Sequence, residues 1–135
     1  MSKLTIYIGY DSNQNNPPLC NRVVNSPYEV CKKSIENHNS NIEIVPIKLK
    51  KLIDDGIYLR EHDPKATTEF TYSRFLVPYL NNYEGKAVFI DSDFLWQCEI
   101  EELLEFYNSE NSVGTKFSSR FIFNLIAKKR KYFKK

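Results

Sequence analysis

The sequence predicts an α/β domain, a mostly parallel sheet flanked by helices, on three observations. The chain opens as strand, helix, strand; a short uninterrupted apolar strand comes later; and segments with a single helical apolar stripe precede and follow that strand. At 135 residues the chain has the size of one domain and can bury a core without disulfide or metal staples.

The first strand is "KLTIYIGYD", where Leu4, Ile6 and Ile8 alternate with Thr5 and Tyr7 until the run stops at Gly9-Tyr10-Asp11. The Asn- and Pro-rich "SNQNNPPLCNRVVNS" reads as an irregular loop. Ser26-Pro27-Tyr28-Glu29 then starts a helix, with serine as N-cap, proline at the first helical position and glutamate completing a capping box. Tyr28, Cys31 and Ile35 recur at i, i+3 and i+7, giving that helix one apolar stripe before it fades in "ENHNSN". "IEIVPIKL" is a second strand, and Pro46 assigns it to an edge or a strand end because proline has no N–H for the ladder.

A short helical turn ending at Gly56, followed by a loop, is expected in "LKKLIDDGIYLREHDPKA". From Thr68 onward Tyr72, Phe75, Leu76, Tyr79 and Leu80 form a stripe that predicts a helix, "TEFTYSRFLVPYL", with Pro78 in its last turn. "KAVFI" follows as a continuous apolar strand of the kind covered on both faces. Ile100, Leu103, Leu104 and Tyr107 mark another helix in "EIEELLEFYN". "SVGTKF" reads as one more strand and "SRFIFNLIAKKRKYF" as a terminal helix. With no repeats and no clear linker, the expectation is one domain over residues 1–127 and a basic tail over 128–135.

Hydrophobic residues at 41% and aromatics at 14% belong to a folded globular protein. No apolar run approaches the roughly 20 residues that cross a bilayer, and "MSKLTIYIGY" has no signal-peptide pattern. Three cysteines, Cys20, Cys31 and Cys98, are odd in number and lack C-x-x-C spacing, which points to reduced thiols and a cytoplasmic setting. His38 and His62 are not spaced to join them at zinc. The tail "KKRKYFKK" holds six of the 19 basic residues, leaving 13 against 17 acidic ones and a body of net charge −4. Such a body argues against nucleic acid as a partner. The tail reads as a solvated helix end, where Lys and Arg suit the dipole; contact with an anionic membrane surface through Tyr132 and Phe133 is the weaker alternative.

The chemistry concentrates in "VFIDSDFLW". Ligands of open α/β sheets sit at the carboxyl ends of the strands, and Asp91 and Asp93 stand where "KAVFI" runs out. In extended backbone, residues two apart face the same side, so both carboxylates can converge on one point. Their repulsion is relieved by protonation or by a cation, and a hard divalent ion such as Mn²⁺ or Mg²⁺ prefers oxygen ligands. The plain alternative is an aspartate that caps the turn after a strand. A haloacid-dehalogenase-like phosphatase also carries Asp-x-Asp after a buried strand, but usually after the first one, with small residues following where Phe94 stands here.

The first strand ending in Asp11, the helix "TYSRFLVPYL", and "VFIDSDFLW" before an acidic amphipathic helix together resemble the N-terminal half of GT-A fold glycosyltransferases, family 8-like. The resemblance implies a Rossmann-like nucleotide-diphosphate-sugar-binding fold, shortened at the C-terminus, and transfer of a sugar, usually from a UDP-sugar, to a glycan or small-molecule acceptor. It implies that Asp91 and Asp93 hold Mn²⁺ or Mg²⁺ against the diphosphate, with Asp91 also reaching the ribose. Arg74 is similar to the family's arginine that reaches the donor sugar or phosphates; its alternative is a solvent-facing side chain. Asp11 is similar to the carboxylate that contacts the uracil, its alternative being an Asx turn. Tyr10 would stack on the base or, alternatively, pack at the rim. No catalytic residue at the sugar centre is identified. Enzymes of the family carry an acceptor half and a further metal-ligating His beyond this point, so water, a partner subunit or a second copy would complete the shell. Two functions follow: a metal-dependent transferase, or a non-catalytic nucleotide-sugar-binding or structural remnant.

Overall fold

The computed structural model of the chain describes residues 4–15 and 26–104. Two compact units divide the chain, Met1–Glu99 and Ile100–Lys135. In the first, the strands β1 (Leu4–Tyr10), β2 (Glu43–Lys48) and β3 (Lys86–Ile90) form a parallel sheet in the order β2-β1-β3. Ile6 of β1 pairs with Ile44 on one side and Val88 on the other. The helix α1 (Ser12–Asn15) and α2 (Pro27–Glu36) lie between β1 and β2. Between β2 and β3 come α3 (Leu49–Asp54), a 3₁₀ turn (Ser73–Leu76) and α4 (Val77–Leu80). The expected α/β fold is met: parallel neighbours need crossovers, and helices occupy both.

β1 is central because both of its faces are apolar. Ile6 and Ile8 are fully buried on one face, and α2 packs against β1 with Cys31 and Ile35 equally buried. On the other face Tyr7, Ile47, Leu52 and Val77 form a core cluster backed by Val45, Ala87 and Phe89. Complete burial of an isoleucine contributes about 2 kcal/mol, so Ile6, Ile8, Ile35 and Ile47 anchor the sheet between its two layers.

The local signals that set α2 act as expected. Ser26 Oγ accepts the Glu29 N–H at 3.2 Å, Pro27 opens the helix, and Tyr28, Cys31 and Ile35 are its buried stripe. Pro46 lies in β2, an edge of the described sheet. α3 stops before Gly56, whose φ of +68° is the left-handed conformation that glycine supplies at a helix end. In β3 Val88 and Ile90 are buried and Ala87 and Phe89 partly so, which is the two-sided covering that "KAVFI" predicts.

Two segments differ from expectation. The loop after β1 begins with the helical turn α1 instead of irregular chain. Residues 68–80 do not form one continuous α-helix: a turn leads into the 3₁₀ segment and then α4. Pro78 explains the break. It has no N–H for the Arg74 carbonyl and its ring would clash there, so an α-helix cannot run through both residues. The tighter turn rotates the apolar stripe. Phe70, Ser73 and Val77 are buried, whereas Phe75 and Tyr79 are 75% and 51% exposed.

In the second unit α5 (Glu101–Leu104) begins the acidic helix, with the Leu104 N–H donating to the Ile100 carbonyl at 3.2 Å. Tyr107, "SVGTKF", the terminal helix, the 127/128 boundary and most of the loop after β1 lie outside the described residues. No helix among the described residues is long and apolar enough to cross a membrane.

Candidate functional site

Because the three strands run parallel, Tyr10-Asp11, Lys48 and Asp91 come to the same edge of the sheet. The chain turns at once after β3, the Phe94 N–H donating to the Asp91 carbonyl at 3.3 Å. Asp91-Ser92-Asp93 is therefore a turn, not extended backbone, as short polar residues favour. The alternation of sides survives it. Ser92 is 3% exposed and faces inward, Asp91 is half-buried, and Asp93 is exposed. Beyond the turn, the Trp96 backbone N–H donates to Ser34 Oγ at 2.9 Å, and Ser34 Oγ donates to the Cys31 carbonyl at 2.7 Å, pinning this segment to α2.

Arg74 is brought to Asp91 and is not turned out to solvent. Its Nη1 lies 3.4 Å from Asp91 Oδ1, while Nε donates to the Phe70 carbonyl at 3.2 Å. The guanidinium also sits over the rings of Phe70 and Phe89, at 5.5 and 5.2 Å from their centroids. Two aromatic faces and a fixed carbonyl thus hold the cation at the sheet edge. Burial lifts the Asp91 carboxyl above its usual range, Arg74 pulls it back, and the charge of Asp93 pushes it up again. Even with the arginine in place the aspartate pair carries negative charge that is not fully balanced.

Asp11 is 3% exposed, and its Oδ1 accepts the Asn13 N–H at 2.9 Å, which is the Asx-turn geometry. The Tyr10 ring meets Tyr28 edge-on at 5.7 Å, and Lys48 Nζ stands 4.8 Å from its centroid, so it packs at the rim. Asp91, Asp93 and Arg74 form one cluster; Tyr10 and Asp11 stand beside it at the end of the neighbouring strand.

Several contacts at this edge carry no sequence signal. Ser12 donates through both its N–H and its Oγ to the Glu69 carboxylate, at 2.9 and 2.5 Å. Ser92 Oγ donates to Gln14 Oε1 at 3.3 Å. Phe70 lies directly over Gly9, which only a residue without Cβ permits. Cys31 is buried under the turn with Sγ 3.9 Å from the Asp91 carbonyl, its thiol pushed up to about 11 by burial and then by Asp93. Such pairings are between residues 57 to 78 positions apart and depend on the sheet order that brings them together.

The donor set fits a hard divalent cation. Two carboxylates two residues apart share one turn, feel each other's charge, and offer oxygen ligands only. Among the described residues no three of Asp, Glu, His and Cys gather as metal ligands.

The three-stranded parallel sheet flanked by helices is the Rossmann-like α/β arrangement of the GT-A type. The chain belongs to glycosyl transferase family 8, whose sequence profile matches residues 5–135. It is 36% identical over 109 residues to Protein CDI of Arabidopsis thaliana, a stretch that covers 80% of this chain and 38% of that protein. The match thus spans well under two thirds of the relative's length. No solved structure matches the chain.

Proposed function

We propose that this chain binds a nucleotide diphosphate sugar, a UDP-sugar in the first place, and serves a metal-dependent glycosyltransferase reaction onto a glycan or small-molecule acceptor. The observation that carries the proposal is the Arg74–Asp91 pair at 3.4 Å beside Asp93, at the sheet edge where ligands of such folds sit. Family membership supports the reaction class.

Sugar transfer places negative charge on the departing diphosphate. A bound Mn²⁺ or Mg²⁺ supplies charge neutralisation there. Asp91 and Asp93 would hold the ion, and Arg74, fixed by Phe70 and Phe89, would direct a second positive group at the phosphates. Asp11 and Tyr10 flank the same edge on the nucleoside side. Arg74, 3.4 Å from Asp91, would reach phosphate oxygens from the same side of the sheet edge.

The test is thermal stabilisation by UDP with Mn²⁺. Wild type rises in Tm with both present, and Asp93→Asn abolishes the rise while keeping its ligand-free Tm within about 2 °C, since Asp93 is exposed. No shift at millimolar UDP and Mn²⁺ refutes the proposal. Binding without sugar release or transfer restricts the chain to a nucleotide-sugar-binding role.

A further inference from the structure

The turn after β1 is tied at both ends. Ser12 gives two hydrogen bonds to Glu69, five residues before Arg74. Gln14 accepts one from Ser92, the residue between the two aspartates. Asp11 closes the turn internally on the Asn13 N–H. One four-residue helical turn is thereby linked to the segment that carries Arg74 and to the turn that carries Asp91 and Asp93.

Neither tie is needed to build the core. Glu69 is only half-buried, and a neutral residue there would leave the Tyr7–Ile47–Leu52–Val77 cluster untouched. A carboxylate that accepts a backbone N–H and a hydroxyl from one residue fixes its position in two directions. Hydrogen bonds to a charged acceptor are about twice as strong as neutral ones. Ser92 acts in the same sense from the other side. Its side chain is buried between a half-buried Asp91 and an exposed Asp93, so the middle residue of Asp-Ser-Asp orients the post-β1 turn relative to the aspartates.

We propose that Glu69 and Ser92 are positioning residues: they lock the Asp11–Asn15 turn against the Arg74 and Asp91–Asp93 segments and so determine how tightly the nucleoside half of the donor is held. This rests on the nucleotide-sugar reading above. Neither residue touches the phosphates; both act through Ser12 and Gln14. Losing them loosens the nucleoside side and spares the diphosphate side.

The experiment compares UDP with inorganic pyrophosphate, each with Mn²⁺, by calorimetry on the full chain. Wild type prefers UDP. Glu69→Ala weakens UDP about tenfold, as expected when a charged acceptor is removed, and leaves pyrophosphate within about twofold. Glu69→Gln keeps an oxygen facing Ser12 and recovers part of the loss, and Ser92→Ala gives a smaller loss of the same kind. A variant that was merely destabilised would weaken both ligands together. Should Glu69→Ala fail to fold, Ser12→Ala removes the hydroxyl contact alone and carries the same test. A UDP-to-pyrophosphate ratio unchanged in the variants, with wild-type preference intact, overturns the positioning role and leaves the nucleotide reading standing. A wild type that binds neither ligand overturns both.

Discussion

Replacing Gly9 by alanine probes the packing that holds the arginine. A Cβ built at Gly9 meets Phe70 Cγ, Cδ2 and Cδ1 at 2.6, 2.7 and 2.8 Å. Carbon atoms prefer separations of about 3.5–4.0 Å, so the ring must retreat by about 1 Å. It has little room. All three contacts are at the base of the ring, not at the far end of a flexible chain, and Phe70 is 3% exposed. Gly9 cannot move instead, because β1 is paired on both sides and Gly9 itself is in register with Ile47. Overpacking of this kind costs about 1–3 kcal/mol, offset by up to about 1 kcal/mol from replacing glycine in a strand. A net loss of about 1 kcal/mol lowers Tm by roughly 3–5 °C in a domain of this size.

The loss extends to the site. Arg74 Nε bonds the Phe70 carbonyl and its guanidinium lies over the Phe70 ring, so displacing Phe70 moves Arg74 away from Asp91. The assay is urea unfolding followed by the fluorescence of Trp96, the single tryptophan, on Gly9→Ala, Phe70→Leu and the double variant. The added methyl occupies space that the shorter leucine vacates, so the double variant loses less than the two single losses together. Unchanged stability in Gly9→Ala, or additive losses within about 0.5 kcal/mol, would refute the close approach as the reason for glycine.

Two further outcomes follow from the layer beneath the aspartates. Ser34→Ala leaves the buried Trp96 backbone N–H without its acceptor, which costs about 1–3 kcal/mol and, by loosening the segment, shifts Trp96 emission to the red; an unaltered spectrum and midpoint would contradict that bond. The Cys31 thiol, raised from an ordinary 9.0 to about 11, stays protonated in the folded chain while an unfolded chain would ionise it. Its contribution, on the order of 2 kcal/mol, is therefore complete below pH 9 and is lost as pH rises through 11. Alkylation of Cys31 in native protein should be slow at pH 8, and Asp93→Asn should move its profile to lower pH; rapid labelling at pH 8 would show the thiol to be accessible.

Sequence periodicity revealed the elements whose pattern is complete within their own residues. β1 with its alternating Leu4, Ile6 and Ile8, α2 with its serine cap, and β3 as "KAVFI" are local patterns with one packing solution. Residues 68–80 were less legible because two local rules conflict there. The stripe of Tyr72, Phe75, Leu76, Tyr79 and Leu80 favours an α-helix, while Pro78 forbids the bond to Arg74 that would complete it. The backbone resolves the conflict with a 3₁₀ turn, which exposes Phe75 and Tyr79 and swings Arg74 over Phe89. Pattern alone could not reveal that swing, since it depends on tertiary contacts with a strand still to come.

The aspartates show the same division. Their spacing marks them in the sequence, but the residue between them matters as much as they do. In a turn after a buried strand, a side chain that alternates inward must either be apolar or find a polar partner. Ser92 finds Gln14, so the inward position ties the aspartate turn to the neighbouring strand end instead of filling the core. Aspartates held this way keep their separation when charge arrives or leaves, because the tie is to a group that carries none. A hydrophobic residue at 92 would fix the turn equally well by burial but would release α1. Rigid aspartates and a loosened nucleoside edge are therefore separable, and Ser92→Val distinguishes them: its Tm holds within about 3 °C of wild type while UDP, but not pyrophosphate, binds more weakly. If both ligands weakened alike, the inward serine would be serving the aspartates themselves.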